Sequence, residues 1–225
     1  MISEKQRAAE AAAEYVKDGM IVGLGTGSTT EFAVKKLGEM VREGLAIRGI
    51  PTSDVTKKLA EDEGIPLMDF SETMYIDLTI DGADEIDTDL NMIKGGGAAL
   101  LREKIVASAS REEIIIVSGQ KYVKQLGEFP LPVEVIPFGW QVIFNQLETL
   151  GGSPDLRLQQ GQPLRTDQGN FIIDCRFRHI IDAAQLEQRL NMLPGVVENG
   201  LFIGLCSRMI LADGEKVIVK ELKKK

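Results

Sequence analysis

The feature that most constrains this chain is an alternation of short apolar runs with longer segments of helical spacing. An apolar run at 20–24 enters a glycine-rich turn, and helical spacing follows over 30–43. Residues 46–52 read as a strand, 55–63 as a helix and 65–68 as a short extended piece. A strand at 75–81, a helix at 98–108 and a buried strand at 113–118 continue the pattern. Upstream, Ser3 and Gln6 have capping-box spacing and open an Ala-rich helix over 7–17. Such alternation calls for an α/β fold: a Rossmann-like parallel sheet flanked by helices on both faces.

The pattern changes after Gly127. A strand at 133–136 and a helix at 140–150, ended by Gly151-Gly152, lead to two hairpin arms, 156–164 and 170–177, around Asp167-Gln168-Gly169. A helix at 183–193 and a strand at 196–203 complete the order βαββαβ, a ferredoxin-like α+β unit. Ala212-Asp213-Gly214-Glu215 between two apolar runs marks a closing hairpin. The expected division is an α/β catalytic domain of 1–126 with 204–225, and a smaller α+β domain of 127–203.

Composition removes several function classes. A net charge of −8 and a pI near 4.9 argue against a duplex nucleic-acid binder, and Lys223, Lys224 and Lys225 read as a solvated tail. With His179 as the one histidine and no metal-type spacing between Cys175 and Cys206, zinc sites are nearly excluded. The cysteines read as reduced thiols. No apolar run approaches the ~20 residues that span a bilayer, and the N-terminus carries no signal pattern, so a soluble cytoplasmic protein is expected.

In open parallel sheets, ligands bind outside the carboxyl ends of the strands. Four segments near such ends carry unusual residues. In Gly25-Thr26-Gly27-Ser28-Thr29 the glycines permit close approach, the following helix offers N–H groups to an anion, and the hydroxyls add donors; phosphate is the natural ligand. A dinucleotide fingerprint fails because Ser28 replaces its third glycine and no acid ends the second strand at Pro51-Thr52. In Asp81-Gly82-Ala83-Asp84, Asp81 ends a strand and Gly82 is expected to allow a sharp turn. Glu85, Asp87 and Asp89 read as a solvated acidic loop. An EF-hand starting at Asp87 fails, since Met92 and Ala98 stand where glycine and glutamate are needed. Magnesium through Asp81 and Asp84 stays open, though carboxylates bonding sugar hydroxyls fit better.

Lys94-Gly95-Gly96-Gly97 sets close-approach N–H donors beside a cation, which suits an oxyanion or a phosphate. On the helix that follows, at about 100° per residue, Glu103 points into an arc of Ala99, Leu100, Val106 and Ala107, with Arg102 and Lys104 at its borders. No basic residue stands three or four positions from it. Partial desolvation should lift this carboxyl towards the range of a general base. Lys121, after the fourth strand, suits a phosphate as a point charge but equally an ordinary surface lysine. His179 and Trp140 read as surface or packing residues.

Together these segments resemble the motifs of ribose-5-phosphate isomerase, type A, as do Pro130-Leu131-Pro132-Val133-Glu134-Val135, Thr166-Asp167-Gln168-Gly169-Asn170 and Pro194-Gly195-Val196-Val197. The resemblance spans nearly the whole chain. It implies interconversion of D-ribose 5-phosphate and D-ribulose 5-phosphate through a cis-enediolate in the pentose phosphate pathway. Glu103 would be the base, Lys94 with the N–H groups of Gly95, Gly96 and Gly97 would hold the oxyanion, and Asp81 would assist ring opening. Asp84 would orient hydroxyls, with Gly82 and Ala83 beside it. Thr26, Gly27, Ser28, Thr29 and Lys121 would surround the substrate, chiefly its phosphate, joined by Lys5. It further implies no metal or organic cofactor and a homodimer or homotetramer. Two other readings keep part of this picture: an amino-sugar phosphate deaminase or lactonase of the same topology, and a non-catalytic sugar-phosphate sensor. The first wants a catalytic histidine near the acids, and the second wants an attached basic helix-turn-helix.

Overall fold

The computed structural model describes residues 3–222. Along the chain run helix α1 (Glu4–Ala13), strand β1 (Ile21–Leu24), α2 (Thr30–Arg42), β2 (Arg48–Pro51), α3 (Asp54–Asp62) and β3 (Ile76–Gly82). Two short strands, β4 (Glu85–Ile86) and β5 (Met92–Ile93), precede α4 (Leu100–Ser108) and β6 (Ser110–Ser118). Then come β7 (Leu131–Val135), α5 (Trp140–Thr149), β8 (Ser153–Leu156), β9 (Leu158–Gln159) and β10 (Gln162–Pro163). β11 (Phe171–Arg176), α6 (Ala183–Asn191), β12 (Val196–Asn199), β13 (Leu201–Phe202), β14 (Arg208–Asp213) and β15 (Lys216–Glu221) complete the chain. They form two compact units, one comprising the chain up to Ala83, Arg102–Tyr122 and the residues from Gly204 on, the other Asp84–Leu101 with Val123–Ile203.

The first unit is a six-stranded sheet in the order β15-β14-β6-β3-β1-β2, parallel except for the β14–β15 hairpin. Successive strand residues face opposite ways, and the sequence uses both faces. Val22 and Leu24 of β1, with Leu78 and Ile80 of β3, join the core that α1 and α2 cover through Ala8, Ala12, Val34 and Leu37. Ile21 turns to the opposite layer, where Val106 of α4 packs. Gly23 shares that layer. A Cβ there would come within 1.9 Å of Thr79 Oγ1 and 2.7 Å of Val106, so only glycine lets α4 lie this close to β1.

The second unit has an antiparallel sheet in the order β12-β7-β11-β8, with α5 and α6 in the crossovers, which is the ferredoxin-like arrangement. Its core gathers Val133, Val135, Ile143, Leu147, Ile173 and Leu190. Three expectations need correction. The arm expected over 156–164 breaks into β8 and a small β9–β10 ladder, because Gln160 and Gly161 both take left-handed φ values, 53° and 77°, and close a two-residue turn. The strand expected over 196–203 divides at Gly200, whose backbone meets the Lys94 carbonyl so tightly that a Cβ would stand 2.3 Å away. β12 then pairs with β7, while β13 pairs with β5. That second pairing groups 84–101 with the second unit rather than the first.

Inside this unit Glu134 is fully buried, with Oε1 accepting from Thr166 Oγ1 at 2.8 Å and Asn170 Nδ2 at 2.9 Å. Burial raises its carboxyl above the ordinary glutamate value, outweighing the two hydrogen bonds. The folded chain therefore holds this proton more tightly than the unfolded chain does. Glu134 thus lowers stability as pH rises from the usual glutamate range through its raised folded value. Glu134→Gln, which keeps the acceptor for both donors, should melt a few degrees above the parent at pH 8, with the gap closing in acid. Scanning calorimetry across pH checks the sign. Cys175 and Cys206 are buried and form no disulfide with each other, and burial pushes the Cys175 thiol up to about 12, so it stays protonated and unreactive.

Candidate active site

Strand order places the candidate groups of the first unit. β1 has β2 on one side and β3 on the other, so connections leave in opposite directions and a crevice opens at the carboxyl ends of β1 and β3. Gly25 follows β1 there, and Asp81 lies near the end of β3. A Cβ on Gly25 would sit 2.2 Å from Asp81 Oδ1 and 2.6 Å from Asp81 Cα. Asp81 is fully buried, and its Oδ1 accepts from the N–H groups of Gly82 at 2.7 Å and Thr26 at 3.2 Å. Gly82 does not make the expected sharp turn. β3 continues through it, pairing Gly82 with Ile116, and a Cβ would meet nothing closer than 3.9 Å.

Beyond Gly25 the loop runs into α2. Gly27 takes φ 129°, and Thr30 Oγ1 donates to its carbonyl at 2.7 Å. The Thr26 hydroxyl turns into a cluster with Thr52 at 2.7 Å, Ser53 at 2.8 Å and Thr56 at 3.0 Å, so it braces the loop against α3. Sequence reading missed these three partners, since each is an unremarkable hydroxyl more than twenty residues away. Thr29 is buried at the start of α2, while Ser28 is exposed and accepts from Lys5 Nζ at 2.8 Å. A cavity of about 270 Å³ lies against this loop, lined by Gly25, Thr26, Gly27, Thr30, Val55 and Thr56 among others. Lys121, on a 3₁₀ turn after β6, donates to the carbonyl of Ala83 at 2.6 Å.

Glu103 lies in the first turn of α4 and is 4% exposed. Because β3 and β6 are parallel, the helix between them must run back against them, which brings its first turn to the strands' carboxyl ends. Val106, one turn on, packs on the sheet face that carries Gly23 of β1 and Thr79 of β3, and alternation along β3 puts Asp81 on that face as well. Glu103 and Asp81 thus belong to one face and one end of the first sheet. Lys104, expected outside the buried arc, is only 8% exposed, so that arc is wider than the helical wheel implies.

The second unit carries a glycine loop of its own. Lys94 is 2% exposed, and its Nζ stands 5.4 Å from the centre of the Phe202 ring, a cation–π distance. Gly95 takes φ 105° and Ala98 φ 60°, which delays the start of α4 to Leu100. Gly96 donates its N–H to Asp84 Oδ2 at 2.7 Å, and a Cβ on Gly96 would crowd that carboxylate at 2.7 Å. Arg157, absent from the sequence reading, donates from Nη1 to the carbonyls of Gly95 at 2.9 Å and Gly96 at 3.1 Å. The acidic loop is not simply solvated: Glu85 is buried and accepts from the N–H groups of Gly127 and Phe129, and Asp87 Oδ1 accepts from those of Asp89 and Asn91. Buried backbone needs acceptors, and Glu85 supplies one to Gly127, whereas Asp89 is exposed. His179 is exposed, in a cavity lined by Lys124, Arg176 and Arg178. Among the described residues no group of three or more His, Cys, Asp or Glu is placed to hold a metal ion, and no helix is long and apolar enough to cross a membrane.

The ribose-5-phosphate isomerase A of Gloeobacter violaceus is 56% identical over 211 residues, covering 93% of this chain and 92% of that one. A solved ribose 5-phosphate isomerase A from Methanocaldococcus jannaschii superposes with a TM-score of 0.93 at 43% identity, over 97% of this chain and 98% of its own. A D-ribose-5-phosphate isomerase in complex with phospho-erythronic acid gives 0.94 at 41% identity, over 97% of each chain. A doubly wound sheet with a glycine turn and a buried acid at its switch point defines an α/β protein that handles small ligands at its strand ends. The sequence model of the family ribose 5-phosphate isomerase A (phosphoriboisomerase A) matches residues 48–216. This chain belongs to that family and is an isomerase.

Proposed function

We propose that the chain interconverts D-ribose 5-phosphate and D-ribulose 5-phosphate, with Glu103 as the general base. The observation that carries this reading is a carboxylate 4% exposed in the first turn of α4, at the carboxyl ends of the parallel strands. Glu103 removes the proton on C2 of the open-chain aldose. The C–H electrons form the C1=C2 double bond, and O1 takes up the charge of a cis-enediolate. Glu103 returns the proton to C1 while the O2 proton moves to O1, which leaves the ketose. Lys94 and the N–H groups of the 95–97 loop stabilise the oxyanion, a role suited to fixed donors in a dry setting. Asp81, held by two backbone N–H groups, assists opening of the furanose ring, and Asp84 orients hydroxyls.

The 25–29 loop, with Lys5 and Lys121, receives the phosphate. Three features support that assignment: the N-terminus of α2, the Gly27 turn, and two lysines whose Nζ atoms already bond to Ser28 and the Ala83 carbonyl. The phospho-erythronic acid held by the solved relative suits the same chemistry, since its planar carboxylate and terminal phosphate match an enediolate and its tail. Cytoplasmic location and assembly as a homodimer or homotetramer belong to the same proposal, and sedimentation at working concentration decides the second.

Isomerisation of ribose 5-phosphate in deuterated water tests the chemistry. An enediolate should exchange part of its proton with solvent, so deuterium should appear at the carbon next to the carbonyl of recovered sugar. Binding without label would mark a sensor instead.

A further inference from the structure

Arg157 makes an unusual set of contacts. Its Nε and Nη2 pair with the two oxygens of Asp174 on β11, Nε to Oδ2 at 2.8 Å and Nη2 to Oδ1 at 2.5 Å. Its own N–H bonds to the Ile172 carbonyl of the same strand at 2.8 Å. Both partners are largely buried, with side chains 15% and 21% exposed. This bidentate pair fixes the guanidinium plane, and Nη1 is left to reach the glycine loop. There it donates to two successive carbonyls, Gly95 at 2.9 Å and Gly96 at 3.1 Å.

Two carbonyls drawn to one nitrogen determine where the next amides point. In a trans peptide the C=O of one residue and the N–H of the next are directed oppositely. With the carbonyls of Gly95 and Gly96 turned to Arg157, the N–H groups of Gly96 and Gly97 must face away from it. The first already does so, reaching Asp84 Oδ2 at 2.7 Å. Glycine loops have many accessible conformations, so without this clamp the amides would have no fixed direction.

We propose that Arg157 is the positioning residue of the 94–97 loop: by holding the Gly95 and Gly96 carbonyls it presets the Gly96 and Gly97 N–H groups, one to hold Asp84 and the other to meet the enediolate oxyanion. The inference rests on the proposed function for its second half and on the loop geometry alone for its first. Arg157 touches no reacting atom; Asp174 acts one step further back by fixing the guanidinium.

Preset donors matter most where charge develops, so the effect should fall on kcat rather than KM. Arg157→Lys retains the charge but not the fork, and should lose about 10²-fold in kcat, as loosened geometry at a reacting centre does. KM should stay within about threefold, and melting close to the parent. Added guanidinium should restore part of the kcat of Arg157→Ala. Hydrogen exchange at Gly96 and Gly97 should quicken in both variants. Unchanged kcat in a folded variant, or a loss confined to KM, overturns the oxyanion half; unchanged exchange overturns the clamp itself. Should Arg157→Ala not fold, Asp174→Asn, which frees the guanidinium without removing it, must show the same exchange and a smaller kcat loss. If the parent chain fails to isomerise ribose 5-phosphate, the proposed function falls, and the exchange result still decides the clamp.

Discussion

Glu103→Gln should fold and bind sugar phosphate normally while turning over ribose 5-phosphate about 10²-fold or more slowly. Glutamine keeps the size and shape of the side chain, so the packing of a residue 4% exposed is preserved. What it loses is the ability to accept a proton from carbon. The neighbouring Val106 and Ala107 are also buried, so Glu103 lies on the buried face of α4, where no solvent base can substitute. Steady-state kinetics measure the loss, and deuterium incorporation should fall in step with it. Turnover near the parent rate would remove Glu103 from the mechanism. A variant that stops binding the substrate would instead assign it to ground-state contact.

Gly25→Ala should lower both stability and activity although it adds one methyl group. The new Cβ would lie 2.2 Å from Asp81 Oδ1 and 2.6 Å from Asp81 Cα, and the second of these is backbone that no rotamer change can move. Either β1 and β3 separate at their carboxyl ends or the 25–29 loop lifts. Overpacking of this kind costs about 1–3 kcal/mol. Either movement also breaks the bond from Thr26 N–H to Asp81, at 3.2 Å, that ties the loop to the acid. A shift of about 1 Å at a site of chemistry is enough for about 10²-fold in kcat/KM. Gly82→Ala is the control, since its nearest neighbour would be 3.9 Å away and its backbone is extended: its melting temperature should match the parent. Equal destabilisation of the two variants would show that close approach to Asp81 is not what Gly25 provides.

How far the sequence carried depended on whether the governing contacts were local. Ser3 capping Gln6, the Ala-rich face of α1 and the apolar runs of β1 and β6 were legible because period and capping chemistry are written within a few residues. The hydroxyl cluster around Thr26 was not, because Thr52, Ser53 and Thr56 become its neighbours only when β2 lies beside β1. Glu85 looked like one of several surface acids until the folded chain placed the N–H groups of Gly127 and Phe129 against it. Gly82 failed in the other direction: a glycine after a strand suggested a turn, but pairing with Ile116 keeps it extended. The β9–β10 ladder was hidden because Gln160 carries no warning of a left-handed φ.

By itself, then, the order of residues determined the longer strands and helices, which acid sits among small apolar neighbours, and which loops are rich in glycine. These follow from hydrophobic period and steric freedom, properties of a residue and its near neighbours. Tertiary structure alone decided that Asp81 presses on Gly25, that Gly200 splits a strand between two sheets, and that Arg157 grips the loop after Lys94. Those contacts join residues far apart in the chain, and their existence depends on strand order and register, which no local pattern encodes.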